Sequence, residues 1–344
     1  MLIKSKKNVN LKVSKIYYEA AEKGKDVMNY IRKLVFKRAR KKQSWKEVIF
    51  VLAGLGIFTV FLEMWKELHE FVIRRCRIVL PQRTASGEAV RIAFLSDLHG
   101  KCYGKNNQEL IAAIIREKPD YILVGGDMLT RGKEATDRAA AALLKELVKI
   151  SPVYMANGNH EQKLRMNPAQ YGDRYARYIK KAESMGVHVL ENRSEHVDMK
   201  GIPVTISGLE IPTGCYGHFR TQGLRLADIK EKIGGSKKEE YQILLAHSPV
   251  YFKIYAKWGA DLTLSGHLHG GIINLPGIGA LITPQAKLFP KYSGGTYQEG
   301  NRVCVVSRGL GTHTVNIRLF NPAELIMITL CPENCSCANE GNQV

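Results

Sequence analysis

Cysteine is scarce and scattered in this chain. Seven cysteines in 344 residues (Cys76, Cys102, Cys215, Cys304, Cys331, Cys335 and Cys337) exclude a disulfide-dense scaffold. Cys331, Cys335 and Cys337 crowd into the tail, but no second cysteine pair stands at zinc-finger spacing. Residues 331–344 therefore read as a flexible tail with incidental thiols, ahead of a disulfide or a metal clip. No internal repeat stands out. Acidic residues are outnumbered, 32 against 51 Lys and Arg, for a net charge of +19. The shortage is local: residues 1–46 carry 15 basic and 3 acidic residues, so 15 − 3 = +12 lies there and 19 − 12 = +7 in the rest. A body so modestly charged gives little support for nucleic-acid binding, and no specific binding of that kind is expected. The 45% apolar and 24% charged composition excludes disorder, collagen and a polytopic membrane protein as descriptions of the whole chain.

One apolar run separates the basic segment from the body. Residues 48–62 read VIFVLAGLGIFTVFL, with Trp45 and Lys46 before them and Glu63, Trp65 and Lys66 after. A spanning helix needs about 20 apolar residues, so the run is short, but flanking Trp and Lys extend it. It lacks the polar face of a core helix. A membrane-spanning anchor is favoured over a core or interfacial helix. The long basic stretch before it, with no small-x-small site soon after, argues against a cleaved signal peptide. Residues 28–47 hold eight Lys and Arg and residues 63–82 hold four. That bias favours a single-pass protein of the cell membrane with its C-terminal body outside the cytoplasm, the cytoplasmic face being the alternative. The basic stretch would lie against anionic headgroups. The expected organisation is a basic segment 1–47, an anchor 48–65, a linker 66–84, a catalytic domain 85–330 and the tail 331–344.

After Pro81 strands and helices alternate. Strands are expected at Val90–Leu95, Tyr121–Val124 and Val153–Met155, with helices at Asn106–Glu117 and Glu134–Ile150 between and after them. Later strands are expected at His196–Met199, Val204–Leu209, Ile243–Ala246, Leu262–Leu264, Val303–Val306 and Leu325–Leu330, with helices at Leu224–Ile233 and Val250–Trp258. The pattern is that of an α/β layered fold with a largely parallel first sheet.

The chemistry lies just past those strands, where open α/β sheets place their ligand crevice. The segments are Asp97-Leu98-His99, Gly125-Gly126-Asp127, Gly158-Asn159-His160-Glu161, Ala246-His247-Ser248 and Gly266-His267-Leu268-His269-Gly270-Gly271. Five of the ten histidines fall in them. Asp-x-His and His-x-His put paired side chains on one side of an extended or turning backbone, which suits chelation. Imidazoles, carboxylates and an Asn carbonyl together suit Mn, Fe or Zn.

These five blocks, in this order, resemble the signature of calcineurin-like metallophosphoesterases over about residues 90–330. Gly270-Gly271 and the stretch from Ser307-Arg308-Gly309 to Asn321-Pro322 and Glu324-Leu325 are similar to the membrane-associated bacterial phosphodiesterase branch related to UDP-2,3-diacylglucosamine hydrolases. The resemblance implies two packed mixed β-sheets flanked by helices, with a dinuclear metal centre at the strand ends. It implies that Asp97, His99 and His269 hold one divalent ion and Asn159, His247 and His267 another, Mn being favoured over Zn or Fe. It implies that Asp127 bridges them and that His160 serves the leaving-group oxygen. Glu161 stands where the family often has Asp; either acid can act as an outer partner of the site, and the departure bears mainly on how His160 is oriented. The implied activity is hydrolysis of a phosphodiester or pyrophosphate by hydroxide formed between the ions. The anchor and the branch point to a lipid-linked or cell-envelope substrate. A nuclease of the same superfamily and a non-catalytic phosphoesterase-like scaffold are the alternatives. Two loops, Ile211–Gly223 (Tyr216, His218, Phe219, Arg220) and Ile272–Tyr297, follow site strands. Arg220, Lys287, Lys291 and Arg308 are candidate phosphate ligands, with solvated surface charge as the plainer reading.

Overall fold

The computed structural model describes residues 45–84, 87–216, 223–275, 279–283, 288–312 and 315–332. Most of the basic segment 1–47, Arg220, Lys287, Cys335 and Cys337 lie outside the described residues. The chain divides at Leu62/Glu63 into two units, which are described separately.

In chain order the elements are α1 (Trp45–His69), β1 (Phe71–Val79), β2 (Val90–Leu95), α2 (Gln108–Glu117), β3 (Tyr121–Val124), α3 (Ala135–Leu147), β4 (Val153–Met155) and α4 (Asn159–Met166). There follow α5 (Pro168–Tyr171), α6 (Arg174–Ser184), β5 (Val187–Val189), β6 (Arg193–Met199), β7 (Ile202–Leu209), α7 (Leu226–Ile233), β8 (Tyr241–Ala246), α8 (Phe252–Trp258) and β9 (Leu262–Ser265). The last are β10 (Ile273–Leu275), β11 (Gly279–Ile282), β12 (Gly295–Glu299), β13 (Arg302–Val306) and β14 (Ala323–Cys331).

In the first unit the described residues form the N-terminal part of α1. The helix has 25 residues and a mean hydropathy of 2.2 over its most apolar window, none of which is buried. At about 1.5 Å per residue its length exceeds the roughly 30 Å of a bilayer's hydrocarbon core.

The second unit is a sandwich of two mixed six-stranded sheets, ordered β1-β14-β2-β3-β4-β5 and β12-β13-β9-β8-β7-β6. Strand β2 shows why they stack. Its Ile92 and Phe94 point into the layer between the sheets, with Leu123, Ile243, Leu264, Val305 and Ile328, while Ala93 and Leu95 point to the opposite face, under α2 and α3. Both faces of the strand are buried, so its sequence is a near-continuous apolar run rather than an alternation. Helices α7 and α8 cover the far side of the second sheet through Ile229, Tyr255 and Trp258. The result is four layers, helix–sheet–sheet–helix, as expected.

Several expectations change. The stretch 66–84 is not a linker: α1 continues to His69, and β1 pairs in parallel with β14 from Phe71↔Ala323 to Val79↔Cys331. Arg74, Arg75 and Arg77 make β1 read as polar linker; Arg74 is paired with Glu324 on β14 at 3.0 Å. The helix expected over 48–65 is longer at both ends. Part of the expected loop 272–297 forms the β10–β11 hairpin and β12. Cys331 lies in β14 and is buried rather than in a flexible tail.

Candidate functional site

Every site segment leaves the carboxyl end of a strand. Asp97 and His99 follow β2, Asp127 follows β3, Asn159 and His160 open α4 after β4, His247 follows β8, and His267 and His269 follow β9. All eight predicted side chains are buried. The turns that carry them are tight: Asp97, His99, Asp127, His267 and His269 all have φ between 49° and 71°. Non-glycine residues pay for that left-handed conformation, and it persists where the surroundings over-determine it. The spacing-two pairs thus share a side through turning, not extended, backbone.

Three groups converge. Asp97, His99 and His269 bring donor atoms within 4.8 Å of one another, as do His99, Asp127 and His160, and Asp127, His247 and His267. His99 Nε2 is 3.3 Å from His269 Nε2. His247 Nε2 is 3.1 Å from Asp127 Oδ2 and 3.7 Å from Asp97 Oδ1. Asp127 stands between the groups, and its Oδ1 accepts the His160 backbone N–H at 2.8 Å. Asn159 Oδ1 is buried with no hydrogen-bond partner.

The opposite edges of the rings are tied to backbone carbonyls. His247 Nδ1 contacts Gly125 O at 2.8 Å, His269 Nδ1 contacts Gly311 O at 3.1 Å, and His99 Nδ1 contacts Leu129 O at 3.3 Å. A donor bond at Nδ1 leaves the Nε2 lone pair directed into the cluster, the usual outer support of a metal-binding histidine. His160 has the reverse polarity. Its Nδ1 accepts the Arg131 N–H at 3.1 Å, so in the neutral ring the proton sits on Nε2.

The charges follow from burial and crowding. Burial opposes ionisation of Asp127, but His247, His160 and His99 outweigh it and hold its carboxyl well below the usual range. Asp97 is raised, chiefly by burial. Burial alone would lower His247; Asp127 and Asp97 overcome it and lift it to about 10. Burial lowers His160, which favours the neutral ring.

Glu161 acts as an outer partner of the Asp127 loop. Its carboxylate accepts the backbone N–H groups of Asp127 at 2.9 Å, Leu129 at 3.0 Å and Gly158 at 3.0 Å. It therefore fixes the Asp127 loop, while the Arg131 N–H orients the His160 ring. Burial, with Asp127 close by, lifts the Glu161 carboxyl to about 7. Gly158 is required beside it, because a Cβ there would collide with the Asp127 carboxylate.

Other supports were given no role by the sequence. Ser96 Oγ donates to Asp97 Oδ2 at 2.6 Å. Asn321 donates to the carbonyls of His269 and Gly271, both at 2.7 Å. Arg318, 2% exposed, donates to the carbonyls of Arg308, Gly309, Gly311 and Asn321. Tyr216, from the first candidate loop, sets its ring edge-on to His267 at 5.0 Å. Of the proposed phosphate ligands, Lys291 lies over the Tyr292 ring at 5.1 Å and Arg308 packs beside Gly294; Arg220 and Lys287 are outside the described residues, as are His218 and Phe219.

Comparison with known proteins points one way. A family model described as calcineurin-like phosphoesterase matches residues 90–271, more than half of the 344-residue chain. A protein of Aquifex aeolicus named as an uncharacterized metallophosphoesterase is 27% identical over 286 residues, covering 82% of this chain and 98% of its own. Phosphodiesterase YaeI of Escherichia coli is 26% identical over 296 residues, covering 85% of this chain and 98% of its own. Among solved structures, a phosphopantetheinyl hydrolase of Mycobacterium tuberculosis aligns with 64% of this chain and 89% of its own, at 16% identity and a TM-score of 0.39.

Proposed function

The chain belongs to the calcineurin-like phosphoesterase family and is a metal-dependent phosphoesterase, and from that premise we propose that it hydrolyses a phosphodiester or pyrophosphate bond with a pair of divalent cations at the strand-end cluster. Asp97, His99 and His269 hold one ion; Asn159, His247 and His267 hold the other; Asp127 is shared. The observation that carries this reading is the convergence of imidazole and carboxylate donors whose outer edges are tied to backbone. The buried, unpartnered Asn159 Oδ1 fits it, since a buried polar atom without a partner is costly unless a cation takes that place. The mixed N and O donor set favours Mn, with Zn and Fe next.

Two such ions supply Lewis acidity to phosphoryl oxygens and bring the pKa of bound water down to near 7. The chain's own residues do the rest. Neutral His160, with its proton on Nε2, donates a hydrogen bond or the proton to the departing oxygen. Glu161 keeps the Asp127 loop in register with α4, and Ser96 holds the Asp97 carboxylate in one orientation.

The same proposal covers placement. Helix α1, with the basic bias before it, anchors the protein in the cell membrane as a single pass, the catalytic body lying outside the cytoplasm. A lipid-linked or cell-envelope phosphate ester is the corresponding substrate class. The direct test uses the full chain in detergent. Metal quantification should return two ions per chain, and bis-p-nitrophenyl phosphate should be hydrolysed, lost on chelation and restored by Mn. Protein that binds no metal and does not turn over this diester would refute the reading. Activity on DNA alone would favour the nuclease.

A further inference from the structure

The exposed apolar side chains of the catalytic body are unevenly spread. After α1, ten large hydrophobic residues among those described are exposed, and five of them, Leu288, Phe289, Val315, Ile317 and Phe320, fall in two short stretches. Single exposed residues are ordinary, whereas a cluster marks a surface that meets something apolar. Backbone pairing joins the two stretches into one ribbon. The Asn274 N–H donates to Leu319 O at 2.9 Å, β10 pairs with β11, and the Phe289 N–H donates to Leu281 O at 3.0 Å. The order across the ribbon is 315–320, β10, β11, 288–289, and at about 4.8 Å per strand it is roughly 15 Å wide. Arg318 turns inward, to the carbonyls behind His269, so its neighbour Ile317 turns outward. Charge on these stretches is one-sided. Residues 272–293 and 307–322 contain no Asp or Glu and carry Lys287, Lys291, Arg308 and Arg318. Exposed apolar side chains among cations, with no acid between, suit a surface of anionic lipid headgroups.

The topology places the ribbon where the chain leaves its apolar helix. The end of α1, from Glu63 to His69, belongs to the second unit. Strands β1 and β14 run in parallel from Phe71↔Ala323. The chain leading into each, α1 for one and 315–320 for the other, therefore comes off one edge of the sheet on neighbouring strands. β14 is antiparallel to β2, so the same edge is where β2 ends and where Asp97 and His99 stand. Lys101 Nζ, two residues past His99, donates to Leu68 O at 2.6 Å. Phe71 comes nine positions after Leu62, the last of the apolar run, and nine residues reach at most about 30 Å when fully extended. A bilayer spanned by α1 is thus held within that reach of the edge that carries both the ribbon and the cluster.

We infer that this ribbon is a bilayer-docking surface. Leu288, Phe289, Ile317 and Phe320 enter the boundary between headgroups and acyl chains of an anionic membrane, with Lys291 among the lipid phosphates. The ribbon begins three residues past His269, so docking turns the strand-end cluster toward the headgroup layer. The phosphate ester it meets there is carried by a membrane lipid rather than delivered from bulk water. The inference rests on the reading of α1 as a membrane anchor.

The test is site-directed spin labelling of the full chain in vesicles of phosphatidylcholine and phosphatidylglycerol, with Cys102, Cys335 and Cys337 replaced by serine. Single nitroxides are placed at Phe58→Cys in α1, at Leu288→Cys and Ile317→Cys on the ribbon, and at Ile115→Cys on α2. Their accessibility to oxygen and to a water-soluble nickel chelate is compared. The Phe58 position is read first: if the chelate reaches it as freely as it reaches the Ile115 position, the anchor reading itself fails. With Phe58 in lipid, the labels at Leu288 and Ile317 should be open to oxygen and shielded from the chelate, while the label at Ile115 is open to the chelate. Adding Phe289→Asp and Phe320→Asp should return both ribbon labels to water, leave Phe58 in lipid and keep the melting temperature near that of the parent. Lys291→Glu should act in the same direction and decides the matter should the paired substitution fail to fold. Ribbon labels that face water while Phe58 lies in lipid would overturn the inference. So would dipolar broadening at Ile317 that disappears on dilution with unlabelled protein, which marks the ribbon as a contact between two copies.

Discussion

The two halves of the cluster are held by different kinds of structure. His247, carried by the second sheet, is fixed from just past β3 of the first, through Gly125 O at 2.8 Å, and Asn159 by the first turn of α4. These supports belong to the regular sheet and helix that carry the ligands. His269 is fixed by irregular stretches, 307–312 and 315–321, which Arg318 and Asn321 gather up. One half is thus as firm as the sheets, while the other depends on a few buried polar side chains far along the chain. The difference teaches that a symmetrical-looking centre can have one side that is open to adjustment from outside.

The comparison can be broken or sharpened by substitution. Asp127 belongs to both halves. Asp127→Ala should strip both ions and lower kcat/KM well over a hundredfold, because losing even an outer partner costs about 10–100-fold; metal analysis and diester kinetics check this. Arg318→Met should strike one half only, weakening one ion about tenfold to a hundredfold. It also orphans the carbonyls of Arg308, Gly309, Gly311 and Asn321, so the melting temperature should fall as well. Retention of both affinities would erase the proposed asymmetry. His160→Ala should leave both ions bound and lower turnover at least about tenfold, the lower part of the range for positioned acid–base groups; unchanged turnover would remove His160 from the reaction. The smallest effect concerns thiols outside the cluster. Burial pushes Cys76 up to about 11 and Cys304 up to about 12, whereas Cys102 is exposed. At pH 8 alkylation, mapped by mass spectrometry, should reach Cys102 well before Cys76 and Cys304, whose thiolates are scarce at that pH.

Much of the regular half was legible in the sequence. Val90–Leu95, Tyr121–Val124 and Val153–Met155 are strands with those bounds, and the five motif blocks do meet, at their ends and at those of β8 and β9. Runs of apolar residues ending in Gly, Asp, Asn or His carry that signal locally. The irregular half left a fainter trace: the stretch from Ser307 to Leu325 resembled a family branch, but no pattern gave its side chains a role. Arg318, Asn321 and Ser96 are single polar residues whose meaning lies in carbonyls and carboxylates brought to them by folding. Glu161 was singled out, but its three backbone donors come partly from a turn 34 residues earlier. Strand β1 was hidden because its charge is neutralised across the sheet, at Glu324.

The pairing of β1 with β14 sets an order of events during synthesis. Arg74 meets Glu324 across 250 residues of sequence. At about 5–20 residues per second, a ribosome takes roughly a quarter of a minute to a minute to make the interval. Throughout that time β1 has emerged but its partner strand does not yet exist, so the first sheet closes only after β14 has been made.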